Sequence, residues 1–420
     1  MKRKLTIAII KANTMKGTDF MKYVIILTDG CADLPIDSLG GMTPLEKSST
    51  PNMDYFASNG ALYLVKTVPD SLKPGSDVAN LSVMGYNPLD CYTGRSPLEA
   101  ASIGVKLQDN QTAFRANLVT LSDEKDYSEK TMLDYSAGEI TTQESRALMA
   151  DIEKALGGGD IHFYGGVSYR HLFVWDNAPE SFTLTPPHDI SDRKIKDYLP
   201  SDERILELMK KSEEILKNHP INKKRIAEGK NPATSMWIWG EGTRPSLDNF
   251  REIYGKKGAV VSAVDLIKGV AILAGMNSID VEGATGNIHT NFDGQAKAAA
   301  DALLNDGADL VYVHLEAPDE CGHQGDAEGK TRSLELIDEK VIGYIKNRLE
   351  EAGEDYAFMV MPDHPTPIST KTHSREAVPC VMYKKGDNAA TERRFVEKDA
   401  QAHGEFIADG YKIMKLFLER

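Results

Sequence analysis

Cysteine is scarce in this chain and scattered where it occurs. Cys31, Cys91, Cys321 and Cys380 form no CxxC pair. That spacing excludes a zinc ribbon and a disulfide-stapled scaffold, and it points to reduced thiols in a cytoplasmic protein. No apolar run approaches the roughly 20 residues that cross a bilayer. The opening MKRKLTIAIIKANTMKGTDF joins a basic cluster to an apolar patch, Leu5 to Ile10, that Lys11 ends. A secretory leader needs about 7–15 apolar residues, so residues 1–20 read as an extension ahead of a strand that starts after Met21. Positive charge is also short. Lys and Arg number 49 against 63 Asp and Glu, a formal net charge of -14. Nucleic acid and anionic membranes gain no counterion release from such a chain and are excluded as partners. An anionic substrate must instead be gathered locally, by metal ions or a few arginines. Missing too are the GxSxG elbow and the Walker A loop, and Ser76 does not begin an SxxK motif.

What is present is a chain of 420 residues, 41% hydrophobic, too long for one ordinary core, so two domains are expected. Lys22 to Thr28 reads as a buried strand ending at Asp29-Gly30. Thr50-Pro51 supplies a cap and a first-turn proline for a helix that Gly60 closes. Further on, a helix is expected over Gln295 to Asp306, a strand over Leu310 to Leu315 and a long helix over Lys330 to Glu351. Strands at Tyr356 to Met361 and Ala377 to Tyr383 and a last helix over Glu405 to Glu419 complete the alternation. Such alternation marks an α/β fold with a mostly parallel sheet covered on both faces. From Phe114 to Trp239 the strands are irregular and broken by Gly157-Gly158-Gly159 and Pro186-Pro187. That stretch reads as a second, α+β unit inserted into the first.

Four segments carry the chemistry: LTDGCAD, KPGSDVANLSVMGY, EAPDECGHQGD and MPDHPTPISTKTHS. Asp363 and His364 follow one strand, with His373 nearby, and Asp319 and His323 follow another. Asp29 follows a third. Singly, each is equally a polar surface turn. Jointly, three strand ends deliver Asp and two add His, at the sheet edge where α/β proteins bind ligands. Six oxygen and nitrogen donors over two ions suit zinc, manganese or a mixed pair. Ser76, in Pro74-Gly75-Ser76-Asp77 at an expected helix start, is either an N-cap or an exposed nucleophile. With no protein base in sight, activation would fall to a metal ion.

With Asp29, Ser76, Asp319, His323, Asp363, His364 and His373 in this order, the chain resembles the alkaline phosphatase superfamily. It is most similar to the archaeal-type cofactor-independent phosphoglycerate mutases. TPLEKSSTPNMD, GYNPLDCYTGRSPLEA, SYRHLFVW, VEGATGN and ALLNDGADLVYVHLEAPDECGH extend the likeness from Met21 to the carboxyl terminus. The resemblance implies an alkaline-phosphatase-like core, residues 21–91 and 251–420, interrupted by an inserted substrate-closing domain, residues 92–250. It implies two divalent ions (manganese, zinc, cobalt or magnesium) and no 2,3-bisphosphoglycerate. Asp29, Ser76, Asp363 and His364 would hold one ion, and Asp319, His323 and His373 the other. Arg95, Arg115 and Arg170 fall in matching segments as substrate contacts or surface charges, and Lys257, beside Lys256, is a further candidate. The implied reaction interconverts 3-phosphoglycerate and 2-phosphoglycerate through a phosphoserine. A homoserine kinase-like phosphotransferase of the same family and a metal-dependent phosphomonoesterase are the alternatives.

Overall fold

A computed structural model describes residues 21–420; the expected 1–20 extension lies outside the described residues. The chain divides into two compact units, one holding residues up to Tyr92 together with Leu247–Arg420, the other Thr93–Ser246. In chain order the strands are β1 (Lys22–Thr28), β2 (Ala61–Val65), β3 (Gln111–Leu121), β4 (Met132–Asp134), β5 (Ile161–Val167), β6 (Arg170–Asp176) and β7 (Ser235–Thr243). They continue as β8 (Gly258–Val261), β9 (Asn277–Ile279), β10 (Leu310–Leu315), β11 (Tyr356–Met361), β12 (Val378–Lys384) and β13 (Glu405–Ile407).

The first unit is built on an eight-stranded sheet ordered β13-β2-β12-β11-β1-β10-β8-β9. Only β12 runs against its neighbours, so the sheet is mostly parallel, as the sequence predicts. Because side chains alternate along a strand, each central strand feeds two cores. Val24, Ile26, Val311, Val313, Phe358 and Val360 pack on the helices Pro51–Asn59, Phe292–Leu304 and Ala327–Glu351. On the other face, Tyr23 meets Phe417 edge-on at 5.5 Å, and Tyr312 bonds to Asn80 of helix Ser76–Val83.

The long 327–351 helix is continuous, but its middle, Ile337–Ile342, is π-helical. That insertion turns Asp338 inward, where its carboxylate accepts the Asn52 and Met53 amides at 3.1 and 2.8 Å. The start of helix Pro51–Asn59 is therefore capped by a neighbouring helix. Thr50, expected as its cap, makes no side-chain bond to it. The last expected helix is also revised. Glu405–Ile407 pairs as edge strand β13 beside β2, and Gly410 separates it from a short helix, Ile413–Leu418.

The second unit is antiparallel. Its long β3 pairs with β6 and β7 along its length and with β4 at its end, while β5 and β6 form a hairpin. Phe114, Phe173, Phe163 and Trp237 fill its core, covered by helices Thr142–Leu156 and Glu203–Leu216. This is the α+β unit expected in the middle of the chain. All four cysteines are buried free thiols. Among the described residues, no helix is long and apolar enough to cross a membrane.

Candidate active site

Three neighbouring parallel strands, β11, β1 and β10, end at one edge of the sheet, and each carries its polar residues just past its last hydrogen-bonded position. Asp29 directly follows β1, and its amide bonds to Leu315 O at the end of β10. Asp363 and His364 follow β11 within two or three residues. After β10 the chain enters helix Ala317–Gln324, which holds Asp319 and His323 one turn apart. Side chains four residues apart share a helix face, so this pair is fixed by helical geometry and not by a curled loop. His323 Nε2 lies 3.2 Å from Asp319 Oδ2.

These residues form two groups. Asp29, Asp363 and His364 each place a ligand atom within 4.8 Å of the others, and so do Asp319, His323 and His373. The His364 and His373 rings lie 4.1 Å apart and join the groups into one site. Ser76 opens helix Ser76–Val83 behind Gly75, without capping it. Its Oγ is 3.1 Å from His364 Nε2, so the serine joins the first group. All seven residues expected as ligands therefore converge.

Hydrogen bonds fix which imidazole nitrogen faces inward. His323 Nδ1 lies 2.9 Å from Lys371 O, which only accepts, so Nδ1 carries a proton and Nε2 points into the site. Thr366 Oγ1 donates its single proton to Asp319 Oδ1. It must then accept from His364 Nδ1 at 3.3 Å, which leaves the Nε2 lone pair of His364 for the site. His323 Nε2 and His373 Nε2 converge to 2.9 Å.

Burial and the nearby carboxylates of Asp363 and Asp319 push the Asp29 carboxyl well above its usual range. Its Oδ1 is buried and finds no hydrogen-bond partner among the described residues. Burial would also raise Asp319, but hydrogen bonds with His323 and His373 hold it well below the usual range. The same bond pushes His323 up to about 9, while burial lowers His364. Crowded buried carboxylates need a proton or a cation to be stable. Three carboxylates and three imidazoles with inward nitrogens fit divalent ions.

The arginines form a separate cluster in the second unit. Arg115 is buried and grips Glu99 with two bonds of 2.7 Å, its guanidinium lying 4.7 Å over the Trp239 ring. Arg95 bonds to the same Glu99 at 3.1 Å. Burial would raise Glu99, yet Arg115, Arg95 and Arg170 together carry its carboxyl below the ordinary value. Three guanidiniums thus act on one carboxylate. Lys257 does not join either group. It precedes β8 at the amino end of the parallel strands, opposite the Asp and His edge. Neighbouring Lys256 lies there too, 5.3 Å over the Tyr23 ring.

Several residues at the site have no counterpart in the sequence reading. Asn80 donates to Ser76 O and to Asp363 Oδ2, both at 2.8 Å. His314 Nε2 stands 3.0 Å from Asp29 Oδ2, and burial lowers its imidazole to about 4. Lys330, fully buried, pairs with Asp33 at 2.7 Å and also donates to Thr366 O, tying the loop after β1 to the loop after β11. Two of them leave a trace in the sequence: Asn80 lies one helical turn after Ser76, and His314 breaks the apolar run VYVHL.

An open α/β sheet that gathers acidic and imidazole donors with a serine at its carboxyl edge defines an α/β protein with a candidate divalent-metal site. A profile described as 2,3-bisphosphoglycerate-independent phosphoglycerate mutase matches residues 57–222. A probable enzyme of that name from Geobacter sulfurreducens is 46% identical over 95% of this chain and all of its own length. A solved protein from Pyrococcus horikoshii superposes with a TM-score of 0.78 at 31% identity, covering 95% of this chain and 97% of its own. The cofactor-independent phosphoglycerate mutase of Thermoplasma acidophilum shares the fold, with a TM-score of 0.64 at 23% identity over 95% of this chain and 99% of its own. The chain belongs to the 2,3-bisphosphoglycerate-independent phosphoglycerate mutase family.

Proposed function

We propose that this protein interconverts 3-phosphoglycerate and 2-phosphoglycerate in the cytoplasm through a phosphoserine at Ser76, without 2,3-bisphosphoglycerate. The observation that carries the reading is Ser76 Oγ placed 3.1 Å from His364 Nε2, beside the two Asp/His groups. Asp29, Ser76, Asp363 and His364 would hold one divalent ion and Asp319, His323 and His373 the other, with manganese, zinc, cobalt and magnesium as candidates. When bound, such ions supply positive charge that favours the serine alkoxide and screens the phosphoryl oxygens.

Ser76 Oγ attacks phosphorus in line. The bond from phosphorus to the C3 oxygen breaks, its electron pair stays on that oxygen, and the proton given up by Ser76 makes it a hydroxyl. The C2 hydroxyl then attacks the phosphoserine, and Oγ leaves with the electron pair and takes up the proton that the C2 hydroxyl gives up. Ser76 is the first residue of its helix, with Gly75 at the N-cap, so Oγ lies beside a positive helix terminus. Arg95, Arg115 and Arg170 recognise the anionic groups of the substrate, with Arg115 held rigid by Glu99 and Trp239.

The test is phosphorus NMR of purified protein with 3-phosphoglycerate and manganese. Formation of 2-phosphoglycerate supports the reading, and chelation should abolish it until manganese, cobalt or zinc is restored. Ser76→Ala should lose several orders of magnitude in turnover with the fold intact. Release of inorganic phosphate alone would leave a phosphomonoesterase, and transfer from a nucleotide to homoserine in a parallel assay supplied with both would leave a kinase-like enzyme.

A further inference from the structure

Asn80 occupies an unusual position: a fully buried amide whose hydrogen-bonding groups are all engaged at the site. One Nδ2 hydrogen goes to Ser76 O and the other to Asp363 Oδ2, each at 2.8 Å. Its Oδ1 accepts the Tyr312 hydroxyl at 2.6 Å. Tyr312 is itself fully buried on β10. The amide cannot be turned over, because a flip would set its oxygen against Asp363 Oδ2 and Ser76 O, both acceptors. Burial holds the Tyr312 hydroxyl in its protonated, donating form, well above its ordinary value.

The remaining bonds of Asp363 complete the picture. Its Oδ1 accepts the Gly30 and His364 amides at 3.2 and 2.9 Å, and its backbone carbonyl accepts Thr67 Oγ1. Asn80 is thus the side chain on Oδ2, the oxygen 3.4 Å from His364 Nε2. The same side chain also grips the carbonyl of the serine. We infer that Asn80, oriented by Tyr312, is a positioning residue that locks the Asp363 carboxylate and the Ser76 helix start into one register, so that the ion held by Asp29, Asp363 and His364 meets the serine Oγ. This rests on the functional reading above.

The inference separates geometry from stability. Removing an amide that merely packs would lower thermal stability and leave manganese affinity unchanged in folded molecules. Removing a group that orients a ligand weakens the metal by roughly 10- to 100-fold. Tyr312→Phe is the gentler variant, since the ring stays and only the orienting hydroxyl goes. Manganese binding is measured by calorimetry on wild type, Asn80→Ala and Tyr312→Phe, alongside kcat, KM and thermal unfolding. The expected result is at least tenfold weaker binding of one of two ions in Asn80→Ala. A smaller loss in the same ion is expected in Tyr312→Phe, with kcat falling in both and KM little changed. Should Asn80→Ala fail to fold, Tyr312→Phe decides alone. Wild-type affinity and kcat in the folded variants would overturn the inference and leave the mutase reading standing. A wild type that neither binds two ions nor isomerises phosphoglycerate would take down that reading, and the inference with it.

Discussion

Gly30 lies tightly against Asp319 and Thr366 at the site. Its φ of +62° lies in the left-handed region, and a Cβ there would stand 2.5 Å from Thr366 Oγ1 and 2.8 Å from Asp319 Cβ. Gly30→Ala must therefore adopt a disfavoured backbone, costing about 1–2 kcal/mol, and also displace Asp319. Because misplacing a group by about 1 Å can cost on the order of a hundredfold in rate, the variant should remain folded but isomerise at least tenfold more slowly. Urea unfolding and turnover measured on one preparation check both parts. His171 makes a different prediction. Burial lowers its imidazole from the ordinary 6.5 to about 3, and Nδ1 accepts the Gly166 amide. The unfolded chain takes up a proton as pH falls through 6.5 while the folded chain does not. Stability should thus be full above pH 6.5 and fall by about 1.4 kcal/mol per pH unit below it. His171→Gln should flatten that slope in urea titrations at pH 7, 6 and 5; parallel slopes would remove His171 as its source. The donors of the site were legible because each follows a recognisable strand. Asn80, Thr366 and His314 were not, because their roles are set by partners 283, 47 and some 285 residues away along the chain. Lys257 was misplaced because resemblance supplied the residue, whereas its position before β8 puts it at the far end of the sheet.

Among the elements, the buried strands were the most readable. Lys22 to Thr28, Leu310 to Leu315 and Tyr356 to Met361 end where their apolar runs end. Parallel strands buried on both faces carry no polar alternation to blur their limits. The carboxyl-terminal segment was not readable in this way. Glu405–Ile407 is too short for periodicity to separate edge strand from helix, and its pairing with β2 decides the matter. The π segment at Ile337–Ile342 left no signature either, yet it has a structural role. It brings Asp338 against the first turn of helix Pro51–Asn59, where the carboxylate takes two amides and the Asn52 side chain at 3.0 Å. Asp338→Ala removes the cap of a neighbouring helix and leaves buried amides unpaired. A loss of about 1–3 kcal/mol is expected in chemical unfolding. Asp338→Asn keeps an acceptor and should recover part of it. A loss below about 0.5 kcal/mol in the alanine variant would show that Thr50 or solvent caps the helix instead.

At the scale of the whole chain, a formal charge of -14 offers an anionic substrate no general attraction. Recognition must then rest on local clusters, and the second unit has one in Arg95, Arg115 and Arg170 around Glu99. The three are not equivalent. Arg115 is buried with Nε and Nη2 on Glu99, whereas Arg170 is exposed and lies 5.5 Å over the Tyr169 ring. Arg170 therefore has hydrogen-bonding capacity to offer a ligand without first breaking a buried ion pair. In a mutase the dephosphorylated glycerate must stay bound until its C2 hydroxyl recovers the phosphate, and a weaker hold lets water take its place. Arg170→Ala should accordingly lower isomerisation by roughly 10- to 100-fold through loss of a charge-assisted contact. It should also raise the ratio of inorganic phosphate to 2-phosphoglycerate. Both products are read from one phosphorus NMR time course, under the same metal conditions for wild type and variant. A slower reaction with an unchanged ratio would mean that Arg170 helps only before the phosphoserine forms. An unchanged rate and ratio would remove it from substrate recognition and leave Arg95 as the exposed arginine of the cluster to test.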